Sequence, residues 1–169
     1  MLSEDLTKAL SEQVNAEFYS AYLYMSMSAW AEQAALKGMA NWLFIQAQEE
    51  MAHGVHMYQY ILERGAAPLL LPVKEPPVSF EDIKEIFARV ESHEQKVTGR
   101  INDIATLAMK ENDHACYQFI MWYVNEQVEE ESTAKDILDK LKMIGGDTVQ
   151  LLNMDSAMGA RVFVNPFPA

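Results

Sequence analysis

Four stretches of this chain of 169 residues place glutamate in the middle of an otherwise apolar helical stripe. Residues spaced alternately three and four apart share one helix face. On that spacing the first stretch reads Leu10, Val14, Glu17, Ala21, Tyr24, Ser28, Ala31, and the second Leu36, Met39, Leu43, Gln46, Glu50, His53, Met57, Tyr60. The third reads Ile83, Phe87, Val90, Glu94, Val97, Ile101, Ile104, Ala108, and the fourth Cys116, Ile120, Tyr123, Gln127, Glu130, Ala134, Ile137, Leu141. Each interruption lies about 13 to 17 residues into its helix, roughly 20–25 Å from either end at 1.5 Å per residue. Helices of similar length bring their midpoints to one level, so Glu17, Glu50, His53, Glu94, Gln127 and Glu130 are expected in a single layer of the core. Ionised carboxylates there face desolvation and mutual repulsion, and no stripe offers a lysine or arginine at that level. Two divalent metals balance four carboxylates in formal charge, with His53 and Gln127 as neutral donors. Oxygen-rich ligation with one imidazole suits iron or manganese better than a closed thiolate zinc site. A lone Glu-x-x-His, here Glu50-Met51-Ala52-His53, occurs by chance in many helices; glutamate on four faces at one height is what carries the argument. Tyr24 lies two turns from Glu17 on the same face, within reach of the layer.

Five helices are expected to position these residues. The first follows a cap at Ser3 and runs to about Gln33. The second runs from about Leu36 to Arg64 and stops at Gly65, a usual left-handed helix end. Residues 66–78 carry four prolines and cannot be helical. Ser79 is read as the cap of the third helix, with Glu81 and Asp82 in its first turn, where the helix dipole favours acids; it runs to about Lys110. Asn112 or Asp113 caps the fourth, which ends at Gly145-Gly146. A short fifth helix spans about 147–160, followed by a tail with Pro166 and Pro168. Short links make the first and second helices, and the third and fourth, antiparallel hairpins. The link between the hairpins, about 14 residues at ~3.3 Å each, can cross the ~40 Å length of a bundle. The expected fold is therefore all-α: one domain over 1–169, with a four-helix bundle over about 4–144 and one long crossover. Leu151, Leu152, Met154 and Met158 of the fifth helix need another surface, which neighbouring subunits are expected to supply, and Leu69-Leu70-Leu71 needs a covering surface too.

Composition narrows the class. A net charge of −12 argues against binding nucleic acid or anionic membrane through bulk electrostatics and suits attraction of cations. The single cysteine, Cys116, excludes an internal disulfide or a CxxC metal site and is expected to pack in the core. The opening residues show no signal-peptide pattern and no apolar run approaches the ~20 residues of a membrane span, so a cytoplasmic location is expected. His56, His93 and His114 fall off the stripes and are expected to be solvated; Trp122 is expected to pack.

These residues resemble the ferritin family, specifically bacterial non-haem ferritins, over nearly the whole chain. The pattern is Glu17 with Tyr24, then Glu49-Glu50-Met51-Ala52-His53, Glu94, and Glu126-Gln127-Val128-Glu129-Glu130, with crossover and fifth helix in the expected places. The resemblance implies that Glu17, Glu50 and His53 hold one iron and Glu50, Glu94 and Glu130 the other, with Gln127 nearby. It implies a third iron position at Glu49, Glu126 and Glu129 with a shared Glu130; spacing independently puts 126, 129 and 130 on one strip. It further implies ferroxidase activity with O2 or H2O2 as oxidant, a ferric mineral store, and a hollow cage of 24 subunits. For Tyr24 it suggests hydrogen bonding or electron donation, against the plainer reading of a satisfied core tyrosine. Bacterioferritins carry Glu-x-x-His on two helices, whereas here the second is Gln-x-x-Glu. Met51 falls where a bacterioferritin haem ligand would, but haem is not expected. The alternatives are another di-iron oxidase or peroxidase, a haem-containing cage, and a structural bundle with a vestigial site.

Overall fold

A computed structural model describes residues 1–167; Pro168 of the expected tail lies outside them. Its elements are α1 (Glu4–Gln33), α2 (Lys37–Glu63), α3 (Ile83–Lys110), α4 (His114–Ile144) and α5 (Thr148–Met158), with no strand among the described residues. The expected all-α bundle is what forms: α1 packs against α2, α3 against α4, and the hairpins meet through α1 and α3.

Local chemistry explains the helix starts. Ser3 Oγ accepts from Leu6 N at 3.0 Å, and Asp113 Oδ1 accepts from Cys116 N at 2.9 Å, each satisfying a helix donor that has no intrahelical partner. Asn112, the other candidate for that cap, instead takes a left-handed φ of 57° in the turn. The start of α3 differs from expectation. Asp82 is the cap, accepting from Glu85 N at 2.8 Å, and Ser79 is exposed outside the helix. Phe80 accounts for the delay: it is buried against Trp30, ring centroids 6.4 Å apart, and the chain stays non-helical until it has delivered that ring.

The crossover lies along α1. Leu69 N donates to Ser11 Oγ at 3.0 Å, Asn15 Nδ2 to the Leu71 carbonyl at 3.1 Å, and Ser26 Oγ to the Pro77 carbonyl at 2.5 Å. Successive points on one helix thus anchor an extended segment, as a full-length crossover requires. Leu69, Leu70 and Leu71 remain exposed.

The fifth helix corrects an expectation, because much of its apolar face finds cover within the chain. Leu151, Met154 and Met158 pack against the end of the bundle's own core, while Leu152 stays exposed. α2 has no side-chain cap of its own at Leu36; instead Asp155 of α5 accepts from Met39 N at 2.8 Å. This clasp needs a glycine: a Cβ on Gly38 would fall 1.6 Å from the Asp155 carbonyl oxygen, which is backbone and cannot swing aside. Gly38→Ala is therefore expected to push α5 off the bundle and lower the unfolding free energy by about 1–3 kcal/mol, the usual range for overpacking. Chemical denaturation reads this directly, and unchanged stability would refute the clasp.

Between the bundle ends the apolar core divides in two. One cluster includes Met27, Leu43, Phe87 and Leu138; the other includes Leu10, Met57, Ile101 and Ile120. A buried polar layer lies between them: Gln13, Glu17, Ser20, Gln46, Glu50, His53, Glu94, Gln127 and Glu130.

Candidate metal centre

The layer contains all six residues expected at mid-height, contributed by all four long helices. Ligand atoms of Glu17, Glu50 and His53 lie within 4.8 Å of one another, and His53 Nδ1 is 3.8 Å from Glu50 Oε2. Two buried atoms here have no hydrogen-bond partner among the described residues, Glu17 Oε2 and His53 Nε2. Unpaired buried polar atoms are rare in folded proteins and ask for a ligand.

Glu94 and Glu130 form the other half. Tyr24 donates its hydroxyl to Glu94 Oε1, and Gln127 Nε2 donates to Glu94 Oε2 at 3.2 Å. The amide nitrogen of Gln127 also faces Thr98 Oγ1 at 3.3 Å, so its oxygen is the atom left for other work. Gln46 Nε2 donates to Glu130 Oε2 at 2.6 Å.

Burial is the main influence on the acidity of these groups. It pushes the Glu17 and Glu50 carboxyls well above the usual range, and the charges of Glu50 on the first and Glu94 on the second add to it. Glu94 is raised too, chiefly by burial, with hydrogen bonds from Tyr24 and Gln127 working against that. Glu130 is pushed up to about 8 by burial and then by Glu94. Protons therefore relieve the repulsion when no cation is bound, and a cation entering the layer displaces them.

No stripe supplies a lysine or arginine at this level, but cations come near it from elsewhere. Arg100 and Arg161 approach it from off the stripes, and each stops at a glutamine. Arg100 Nε donates to Gln13 Oε1 at 2.8 Å, and Gln13 Nε2 donates to Glu17 Oε1 at 2.7 Å. Arg161 Nη1 donates to Gln46 Oε1 at 2.7 Å, while its Nη2 pairs with Glu49. Among the described residues Glu17, Glu50, Glu94 and Glu130 form no ion pair with arginine or lysine. Spacing had placed Gln46 on its stripe without a role and had missed Gln13. The signal was available: each glutamine precedes a layer glutamate by one helical turn.

The outer trio is less gathered. Glu49 and Glu126 are half-buried, Glu129 is exposed, and the three do not form a cluster of converging ligand atoms. Arg161 holds Glu49, and burial raises both the Glu49 and the Glu126 carboxyls.

Two histidines depart from expectation. His93 is half-buried, its Nε2 2.7 Å from Ser20 Oγ, and burial lowers it to about 4. His56 stacks on Phe167 with centroids 3.7 Å apart, and its Nδ1 is 2.8 Å from the Tyr123 hydroxyl. Their off-stripe positions face grooves that other elements fill, which single-helix periodicity does not register. His114 is exposed, as expected. Trp122 meets the His53 ring edge-on at 5.5 Å. The Cys116 thiol is buried and pushed up to about 11, an inert core group. Met51 is partly exposed, and no helix among the described residues is long and apolar enough to cross a membrane.

Comparison with known proteins gives consistent matches. Residues 7–144 match the ferritin-like domain family. A probable bacterial non-heme ferritin-like protein of Haemophilus influenzae is 37% identical over 159 residues, covering 94% of this chain and 96% of its own. A bacterial non-heme ferritin of Staphylococcus aureus is 38% identical over 163 residues, covering 96% and 98%. Among solved structures, an engineered closed form of the Archaeoglobus fulgidus ferritin superposes with a TM-score of 0.95 at 44% identity, covering 97% of this chain and 100% of its own. An open-pore ferritin from the same archaeon gives 0.94 at 44% identity, covering 96% and 100%.

Proposed function

The chain belongs to the ferritin family, and from that premise we propose that it oxidises Fe(II) at a paired site within each subunit and stores the ferric product as mineral inside a hollow homo-oligomer. Iron storage is its function, and iron is its substrate and cargo. In this reading residues 1–169 act as one ferritin-like domain.

Glu17, Glu50 and His53 hold the first Fe(II); Glu50, Glu94 and Glu130 hold the second, with Gln127 beside it. The observation that carries this assignment is the buried layer itself: four carboxylates from four helices, without an arginine or lysine ion pair among the described residues, and with orphaned atoms on Glu17 and His53. Hard anionic oxygens favour Fe(III) over Fe(II), so the same ligands assist loss of the electron. Each of two Fe(II) ions gives up one electron; dioxygen takes both with two protons and leaves as hydrogen peroxide. Tyr24 orients Glu94 through its hydroxyl and lies where it can pass an electron to the layer. Gln127, a weak neutral donor, leaves its iron loosely held, and the ferric product moves on. Glu49, Glu126 and Glu129, with Glu130, form a third iron position on that route, which Glu49 joins by leaving Arg161. A cage of 24 subunits in the cytoplasm, without haem, completes the reading.

Aerobic Fe(II) titration with size analysis tests it. The expected result is fast oxygen-dependent oxidation, uptake far beyond two irons per subunit, and iron that comigrates with one large assembly. Saturation near two irons would mark a di-iron oxidase instead. No stoichiometric binding would mark a structural bundle.

A further inference from the structure

Two arginines approach the polar layer through glutamine and in the same sense. Arg100 on α3 donates to Gln13 Oε1 at 2.8 Å, and Gln13 Nε2 donates to Glu17 Oε1 at 2.7 Å. Arg161, beyond α5, donates to Gln46 Oε1 at 2.7 Å, and Gln46 Nε2 donates to Glu130 Oε2 at 2.6 Å. Both glutamines are fully buried. Resting on the di-iron reading above, we propose that Arg100–Gln13 and Arg161–Gln46 are two positioning relays, each aiming one carboxylate, Glu17 or Glu130, at one of the two metal positions.

The chemistry of the donors makes each relay directional. A glutamine amide is nearly symmetric in shape, with an acceptor at one end and donors at the other, whereas a guanidinium only donates. Arginine therefore fixes the amide oxygen outward and the amide nitrogen inward, toward the carboxylate. Without the arginine the amide is free to turn and set oxygen against oxygen. With it, one carboxylate oxygen is engaged and the other is left for metal; Glu17 Oε2, the orphaned atom, is such an oxygen. The glutamine also keeps a full positive charge away from the ligand. A direct arginine pair would oppose a divalent ion on the same carboxylate, and a neutral spacer orients it while leaving its charge to the metal. Glu94 is held by a different pair, Tyr24 and Gln127.

Each arginine has its own seat. Arg100 Nη2 donates to the Glu12 carbonyl at 2.8 Å, on the helix that carries Gln13. Arg161 lies over the Trp42 ring at 4.6 Å, and Asn41 Nδ2 donates to its carbonyl at 3.0 Å. The α5 clasp on Gly38 and Met39 thus delivers Arg161 to a stripe of α2 that runs through Trp42, Gln46 and Glu49.

Zinc soaks of the assembled protein, with anomalous-scattering occupancy read separately at each position, test the relays without turnover. Arg161→Gln and Gln46→Met are each expected to raise the Zn(II) concentration for half-occupancy at the Glu130 position by about tenfold or more, the scale on which outer partners of metal ligands act. The Glu17 position should stay within about twofold in both, since its own orienting partners are intact. Arg100→Gln and Gln13→Met should give the mirror image. Arg161→Lys, which can still donate to Gln46, should recover most of the loss. Gln46→Met retains the Arg161–Glu49 pair, so a silent Gln46→Met beside an active Arg161→Gln would overturn the relay in favour of that ion pair. Equal shifts at both positions, or none, would also overturn it. Absence of zinc from both positions in the unaltered protein would overturn the di-iron reading and the relays together, whereas filled positions indifferent to the substitutions overturn the relays alone.

Discussion

Glu50→Ala is expected to slow Fe(II) oxidation by at least about 100-fold while leaving the helices intact. Loss of an outer partner of a metal ligand already lowers metal affinity about 10- to 100-fold, and Glu50 is assigned to both irons, so its removal acts on the pair. The fold should tolerate the change. Glu50 is a carboxyl whose ionised form is opposed by burial and by Glu94, so truncation removes a strained group along with its packing. Glu50→Gln, which keeps the volume and removes the charge, should be nearly as slow. Glu94→Ala should behave similarly and also free the Tyr24 hydroxyl. Stopped-flow oxidation and oxygen consumption measure the rate, and circular dichroism the fold. Undiminished oxygen consumption in Glu50→Ala would remove the site from consideration.

Without metal, the protein should lose stability as pH rises from about 5 to about 8, and bound metal should flatten that slope. Glu130 titrates at about 8 in the fold because of burial and then Glu94, whereas an unfolded chain releases that proton near the ordinary glutamate value of about 4.3. Between those limits the unfolded state binds fewer protons than the folded one, so stability falls with pH. The contribution is complete below the ordinary value and lost as pH rises through about 8. Glu17 and Glu50, raised in the same direction, reinforce the trend. A divalent ion needs these carboxylates ionised and therefore binds more tightly as pH rises. At about 100 times its dissociation constant each ion adds about 2.7 kcal/mol, and because the metal-bound fold and the unfolded chain then both carry ionised carboxylates, the pH dependence flattens. Thermal unfolding of chelator-treated and Zn(II)-loaded protein across that range reads both slopes. A metal-free protein that gains stability toward pH 8 would contradict the raised carboxyls.

Much of the site was legible because each helix face announces its own errors. A glutamate inside a stripe of leucine, valine and isoleucine is visible from one segment, and four at one depth give the layer by counting residues. The cap at Ser3 was legible for the same local reason, and the one at Asp113 only as one of two neighbouring candidates. Ser79 misled because a serine before an acidic turn satisfies every local criterion for a cap, whereas Phe80 has a core site to reach before the helix can start. His93 and His56 misled because a position off one helix's stripe still faces a groove when another element fills it.

The amino-acid sequence by itself determined which side chains occupy the core at mid-height, since helical periodicity converts spacing into depth and face without knowledge of neighbours. Only the tertiary structure decided which groups orient them. Arg100 reaches Glu17 by way of a glutamine 87 positions away, and Arg161 reaches Glu130 by way of one 115 away. Those partners are set by how helices pack and how α5 folds back onto Gly38 and Met39. Periodicity is a property of one helix, whereas a hydrogen-bond relay between helices is a property of their arrangement, and no spacing within a single segment encodes it.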